Sequence, residues 1–137
     1  MPLAVPLAVP TLASVALGGA LGSVLRWLVE LALPQAQGGV PWGTLLVNVA
    51  GSALLGATVV VLDSGVGSGL HRGFLATGVL GGFTTFSTFA VQVGLGLAVA
   101  PAVALVYLFL TPVLCVAAAA LAAAWTRRSW TSGRVRP

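Results

Sequence analysis

Four long apolar runs separated by short polar turns constrain this chain more than any other feature. They read as spans over about 11–33, 42–62, 72–98 and 101–125. Each reaches the roughly 20 residues that a helix needs to cross a hydrocarbon core about 30 Å thick. The charge content points the same way. The 137 residues include six arginines, no lysine and two acids, and 58% are hydrophobic. A soluble domain carries charge on about a quarter of its residues. A chain this short cannot keep so much apolar surface from water, so lipid must cover much of it. The expected fold class is an all-α membrane protein of four transmembrane helices, forming one multi-pass domain over residues 11–125.

The flanks differ from the spans. Residues 1–10 read PLAV twice with prolines between, which opposes a helix and predicts a short disordered or interfacial extension. No Lys or Arg precedes the first apolar run, as it would in a signal peptide. Residues 126–137 form a basic tail with Arg127, Arg128, Arg134 and Arg136. After an apolar helix, such a tail reads as the cytoplasmic side of a membrane, and no nucleic-acid partner is expected. Trp125 and Trp130 suit an interfacial belt. The lone Cys115 lies in an apolar run and reads as a small hydrophobe. One His, one Cys and two acids near span ends give no nucleophile–base pair or metal cluster, so an enzyme is not expected. The loop residues Asp63 and His71 are expected to face water.

The polar residues inside the spans are few. Arg26 and Glu30 stand at i and i+4 near the end of the first span, where they can pair on one face. Asn48 is the one strongly polar side chain of the second span. The third span is interrupted: GFLATGVL is followed by GGFTTFSTF from Gly81 to Phe89, then by AVQVGLGLA. Tandem glycines and threonines propagate a helix poorly. The residues before the motif make about 12 Å of helix, so a break would fall near the bilayer midplane. Irregular backbone survives there only if protein buries it or water reaches it. Paired helix ends at that depth can present N–H and C=O groups to ions. On the residues alone, an ordinary kinked helix packed on small residues is an equal alternative.

Gly18, Gly19, Gly22 and Arg26 in the first span, PWGTLLVNVAGSALLG from Pro41 to Gly56 in the second, Arg72, Thr77 and Gly78 leading into GGFTTFSTF in the third, and Tyr107 and Thr111 in the fourth together resemble the Fluc (CrcB-type) fluoride channels. The resemblance implies an antiparallel dimer of four-helix subunits with two separate fluoride pores, passive fluoride export across the cell membrane, and a third helix broken at the midplane. It implies Phe86 and Phe89 as the pore phenylalanines and Asn48 as the pore amide. Thr44, Ser87, Thr88, Tyr107 and Thr111 would complete the polar lining. Backbone carbonyls of Gly81 and Thr84 would hold a structural sodium ion at the dimer centre.

The chemistry agrees with these roles. Fluoride is small and strongly hydrated, so a pore must replace water's donors without trapping the ion. Asn48 offers N–H donors without charge, and aromatic rings have a positive edge that Phe86 and Phe89, three apart, could turn to an anion. Packing is the bland alternative for the phenylalanines, and helix–helix adhesion for Asn48. Arg26 reads either as an electrostatic lure at the pore mouth or as an end anchor reaching the headgroups. Gln92 stands where the family usually has glutamate, which puts any carboxylate role there in doubt.

Two rival functions stand beside the channel. A small proton-coupled exporter built as a four-helix dimer would need a carboxylate inside the membrane, whereas Glu30 and Asp63 lie near span ends. A non-conducting partner subunit of a heterodimer is the other. The arginines bear on it, because four spans put Arg72 and all the tail arginines on one side and at most Arg26 on the other. The positive-inside rule then favours a single orientation with both termini in the cytoplasm. An antiparallel homodimer would need both orientations, and a heterodimer would need an oppositely inserted homologue.

Overall fold

The computed structural model describes residues 9–36 and 38–134. Residues 1–8 of the expected extension and Arg136 of the tail lie outside the described residues. Val9 and Pro10 open the first helix, α1 (Val9–Ala32), and a proline is tolerated there because the first turn needs no N–H. Helix α2 (Trp42–Asp63) follows after a turn that ends on Pro41. The third span is made of pieces: α3 (Gly69–Arg72), a π-helical segment (Gly73–Leu80), α4 (Gly81–Phe83) and α5 (Ser87–Val99). The last helix, α6 (Pro101–Arg134), continues through Pro112 and past Arg127 and Arg128. Its 34 residues make about 51 Å of helix, more than a hydrocarbon core accommodates, so one end must stand outside it. All four spans are long and apolar enough to cross a membrane.

The third span is broken, the outcome that the family resemblance implied and that the residues alone left level with a kinked helix. Thr84 leaves the helix with φ −78° and ψ 157°, an extended conformation. The pieces before the break hold 4, 8 and 3 residues, and α5 holds 13, so the interruption lies near the middle of the span. The sequence reading treated residues 73–80 as ordinary helix. They instead form wide π turns, which recur in proteins at functional sites.

Two seams hold the spans together. Helix α1 packs on the π-helical segment and α4, whereas α2 and α5 pack on α6. In the first seam glycine meets glycine. A Cβ placed on Gly78 would lie 2.9 Å from the Gly18 Cα, and one on Gly82 would lie 3.0 Å from the Gly19 Cα. Gly18 and Gly22 on α1, like Gly78 and Gly82, stand four apart, and only hydrogen at these four positions lets the two backbones approach so closely. At the loop end Asp63 pairs with Arg72, and the Ser68 N–H donates to the His71 Nδ1 over 3.2 Å, capping α3. Both side chains expected only to face water therefore have protein partners. The pairing open to Arg26 and Glu30 does not satisfy them: the Arg26 Nε and the Glu30 Oε1 are buried without hydrogen-bond partners.

Burial within the single chain is slight. Between 11% and 22% of the residues in the four spanning windows are buried inside it. The remaining apolar surface, from Leu17 on α1 to Leu121 on α6, requires lipid or another protein to cover it.

Candidate functional site

The site begins at the break. Past Thr84 the chain needs partners for backbone groups that a continuous helix would satisfy, and α2 supplies them. The Thr85 N–H donates to the Asn48 Oδ1 at 2.7 Å, and the Asn48 Nδ2 donates back to the Thr85 carbonyl at 2.9 Å. One neutral side chain thus closes a ring with one backbone residue, and Asn48 and Thr85 are both buried, each 8% exposed. Buried polar groups require such pairing. The Asn48 amide has two N–H groups, so one is left after Thr85 is served.

Thr85 also starts α5. Its Oγ1 accepts from the Thr88 N–H at 3.2 Å and donates to the Thr88 Oγ1 at 3.1 Å, with the Ser87 hydroxyl 3.3 Å away. This is the work of an N-terminal cap, which covers a donor of the first turn that has no helical acceptor. The sequence reading named Ser87 and Thr88 but missed Thr85. The signal was present in the hydroxyl residue set three positions before Thr88 at the head of a helix. Ser87 and Thr88 lie beside Thr85, their hydroxyls within hydrogen-bonding distance of its Oγ1.

The remaining polar residues form two layers across α2, α5 and α6. Asn48, Phe89 and Thr111 make one layer. Thr44, Gln92 and Tyr107 make the other, three or four residues away on each helix, hence about one turn nearer the loop before α2. In that second layer the Gln92 Nε2 donates to the Thr44 Oγ1 at 2.9 Å, and the Tyr107 hydroxyl donates to the Gln92 Oε1 at 3.1 Å. Gln92 is thereby a central member of the site, which its reading as a departure did not anticipate. In the first layer the Thr111 Oγ1 is buried and unpartnered.

A groove opens on either side of these layers. One, about 380 Å³, runs from Gln35 and Pro41 in the loop to Gln92 and Tyr107. The other, about 310 Å³, is lined by Asn48, Thr84, Thr85, Phe86, Phe89, Thr111 and Cys115 among others. Val47, fully buried, and Val93 close the core near the layers. Arg26 lines neither groove.

The two phenylalanines have opposite surroundings. Phe89 is 6% exposed, and its ring centroid is 5.1 Å from that of Tyr107 in a tilted pair. Phe86 is 79% exposed, although its centroid is only 5.9 Å from that of Phe89. Phe86 caps α5 in helical conformation, so the two rings are neighbours on one face and line the same groove, and only their exposure differs.

The break also leaves carbonyls unserved. In an unbroken helix the Thr85 N–H would return to the Gly81 carbonyl; here it goes to Asn48. Gly81 is exposed, and a Cβ there would meet nothing within 4 Å. A carbonyl oxygen without its helical donor, on an open part of the surface, is chemistry that suits a hard cation such as sodium.

With this geometry in view, comparison with known proteins is direct. The family described as "CrcB-like protein, Camphor Resistance (CrcB)" matches residues 13–123. The chain belongs to that family. Among curated relatives, the "Fluoride-specific ion channel FluC 2" of Streptomyces avermitilis is 50% identical over 82 residues, covering 59% of this chain and 52% of the relative. The "Fluoride-specific ion channel FluC" of Thermus thermophilus is 53% identical over 79 residues, covering 57% and 63%. The "Fluoride-specific ion channel FluC 2" of Nocardia farcinica is 43% identical over 89 residues, covering 64% of each. The chain thus spans between about half and two thirds of the length of these relatives.

Proposed function

We propose that this CrcB-family chain is a fluoride-selective channel that lets fluoride leave the cell passively through pores formed with a second, antiparallel subunit in the plasma membrane. The observation that carries this reading is the pair of stacked layers at a broken membrane helix. They offer amide and hydroxyl groups and ring edges, with no carboxylate among them. Neutral donors can stand in for fluoride's water shell without holding the ion fast, and the spare Asn48 N–H and the unpartnered Thr111 hydroxyl are the donors not already committed within the chain. The Phe86 ring, bare in the single chain, is the group a second subunit would cover. The names of the relatives support fluoride as the ion.

The partner is argued from surface. With so little of each span buried, a second copy supplies cover that lipid cannot give to exposed polar backbone. The carbonyls of Gly81 and Thr84 at that junction would hold a structural sodium ion, whose charge would offset the carbonyl dipoles that the break leaves unpaired. A homodimer is favoured because every pore residue is present in one chain, and the heterodimer with an oppositely inserted homologue is the competing assembly.

Liposomes containing this chain as their only protein test the function. Loaded with fluoride, they should empty without a proton gradient, and loaded with chloride they should not. Flux that demands a proton gradient would replace the channel with an exporter. For the assembly, a labelling cysteine in the Asp63–His71 loop of a Cys115→Ser chain should react from both faces of the membrane. Reaction from one face would mean a heterodimer.

A further inference from the structure

Helices α2 and α6 run parallel, side by side. The Gln92 bridge sets Thr44 level with Tyr107, and a Cβ on Gly56 would lie 3.0 Å from the Ala119 Cα. The offset between partners is the same at both places, so the two helices keep register along their length. At that offset Asp63, where α2 ends, is level with Thr126 of α6. Helix α6 therefore outlasts α2 by Arg127–Arg134, about two turns and about 12 Å. So short a stretch of helix is marginal in water by itself.

The edge of the hydrocarbon core falls at the level where α2 ends. Asp63 and Arg72 pair there with at least half of each side chain exposed, which marks the end of the apolar span. A bilayer about 30 Å thick without headgroups and about 40–45 Å thick with them leaves about 5–8 Å for each headgroup layer. Arg127, Arg128 and Trp130, all exposed, stand between about 2 and 6 Å beyond Thr126 and so within that layer. Trp125, 74% exposed, lies just beneath it. Arg128 follows Trp125 by three positions and Trp130 follows Arg127 by three, so each arginine shares a helix face with a tryptophan. Tryptophan settles at the membrane–water interface and fixes the depth of the helix.

Charge and chemistry then select the partner. Arg72, Arg127, Arg128, Arg134 and Arg136 share this end of the sequence with one carboxylate, Asp63, which Arg72 engages. The chain has no lysine. A guanidinium fork takes two phosphate oxygens at once, whereas an ammonium group acts as a point charge. We propose that the end of α6 binds the headgroup of an anionic phospholipid, with Arg127 and Arg128 on the phosphate and Trp125 and Trp130 holding the helix at that depth. The site asks nothing of the pore, so it does not rest on the channel reading.

Native mass spectrometry of the full chain in neutral detergent tests the site, with phosphatidylglycerol and phosphatidylcholine offered in equal amounts. The parent should retain phosphatidylglycerol in preference. Each arginine at an anionic surface contributes about fivefold in affinity, so Arg127→Gln with Arg128→Gln should weaken that retention by about twentyfold in a chain that still elutes as the parent does. Arg127→Lys with Arg128→Lys keeps the charge but loses the fork, and should weaken it several-fold. Equal retention of the two lipids, or parental retention in the glutamine variant, would overturn the proposal. Parental retention in the lysine variant would reduce the site to net charge and overturn it as well. Inorganic phosphate, added at matched ionic strength, should leave the lipid in place; displacement would make this a site for free phosphate and not for a membrane lipid.

Discussion

The seam between α1 and the first half of the third span is built from absent side chains, whereas the seam among α2, α5 and α6 is built from polar ones. In the first, Gly18 and Gly22 on one side and Gly78 and Gly82 on the other have no room for a methyl group against the facing backbone. In the second, Thr44, Asn48, Thr85, Gln92 and Tyr107 exchange hydrogen bonds between helices, and two grooves reach in toward them. Close backbone contact makes a dry, rigid seam, because dispersion forces act over the whole contact. Polar side chains make a seam whose bonds can be exchanged for bonds to an ion. The third span belongs to both, and its break is where one kind of packing gives way to the other.

The largest effect expected from this contrast is at Gly78. Gly78→Leu would drive a side chain into the α1 backbone, which cannot yield as the tip of a side chain can. Little or no folded protein should be recovered in detergent by size-exclusion chromatography. Recovery near the parental yield would show that the two seams do not differ in rigidity.

Asn48→Leu comes next. It removes both bonds to Thr85 and strands a buried N–H and a buried carbonyl, each costing about 1–3 kcal/mol. The chain should unfold at a clearly lower denaturant concentration, and flux should be lost. If flux survives, the amide does not serve the path.

Phe86→Ile and Phe89→Ile separate packing from conduction. Phe89 is buried against Tyr107, so its replacement should cost about 1–3 kcal/mol of subunit stability. Phe86 is exposed in the single chain, and its replacement should change subunit stability by at most about 0.5 kcal/mol. Both should lower flux strongly, since isoleucine lacks the positive ring edge. Parental flux in both variants would return the rings to packing alone.

Thr111→Val should have the smallest structural effect. The hydroxyl it removes has no partner, so stability should hold or rise by about 1 kcal/mol. Flux should fall several-fold if that hydroxyl serves the ion. Equal flux would take Thr111 out of the path.

The sequence by itself determined the four spans and the weak point in the third. Each depends on local properties: hydropathy summed over about 20 residues and the poor helix propagation of GGFTT. Only the tertiary structure decided which polar groups meet. Asn48 finds Thr85 37 positions away, and Gln92 bridges partners 48 and 15 positions away. Such pairings follow from how each helix is rotated about its axis, which the glycine contacts and the π turns set and no local pattern reveals. Phe86 and Phe89 illustrate the limit. Their spacing implies the shared face that the structure shows, but not that one ring is left bare at the helix start and the other buried against Tyr107.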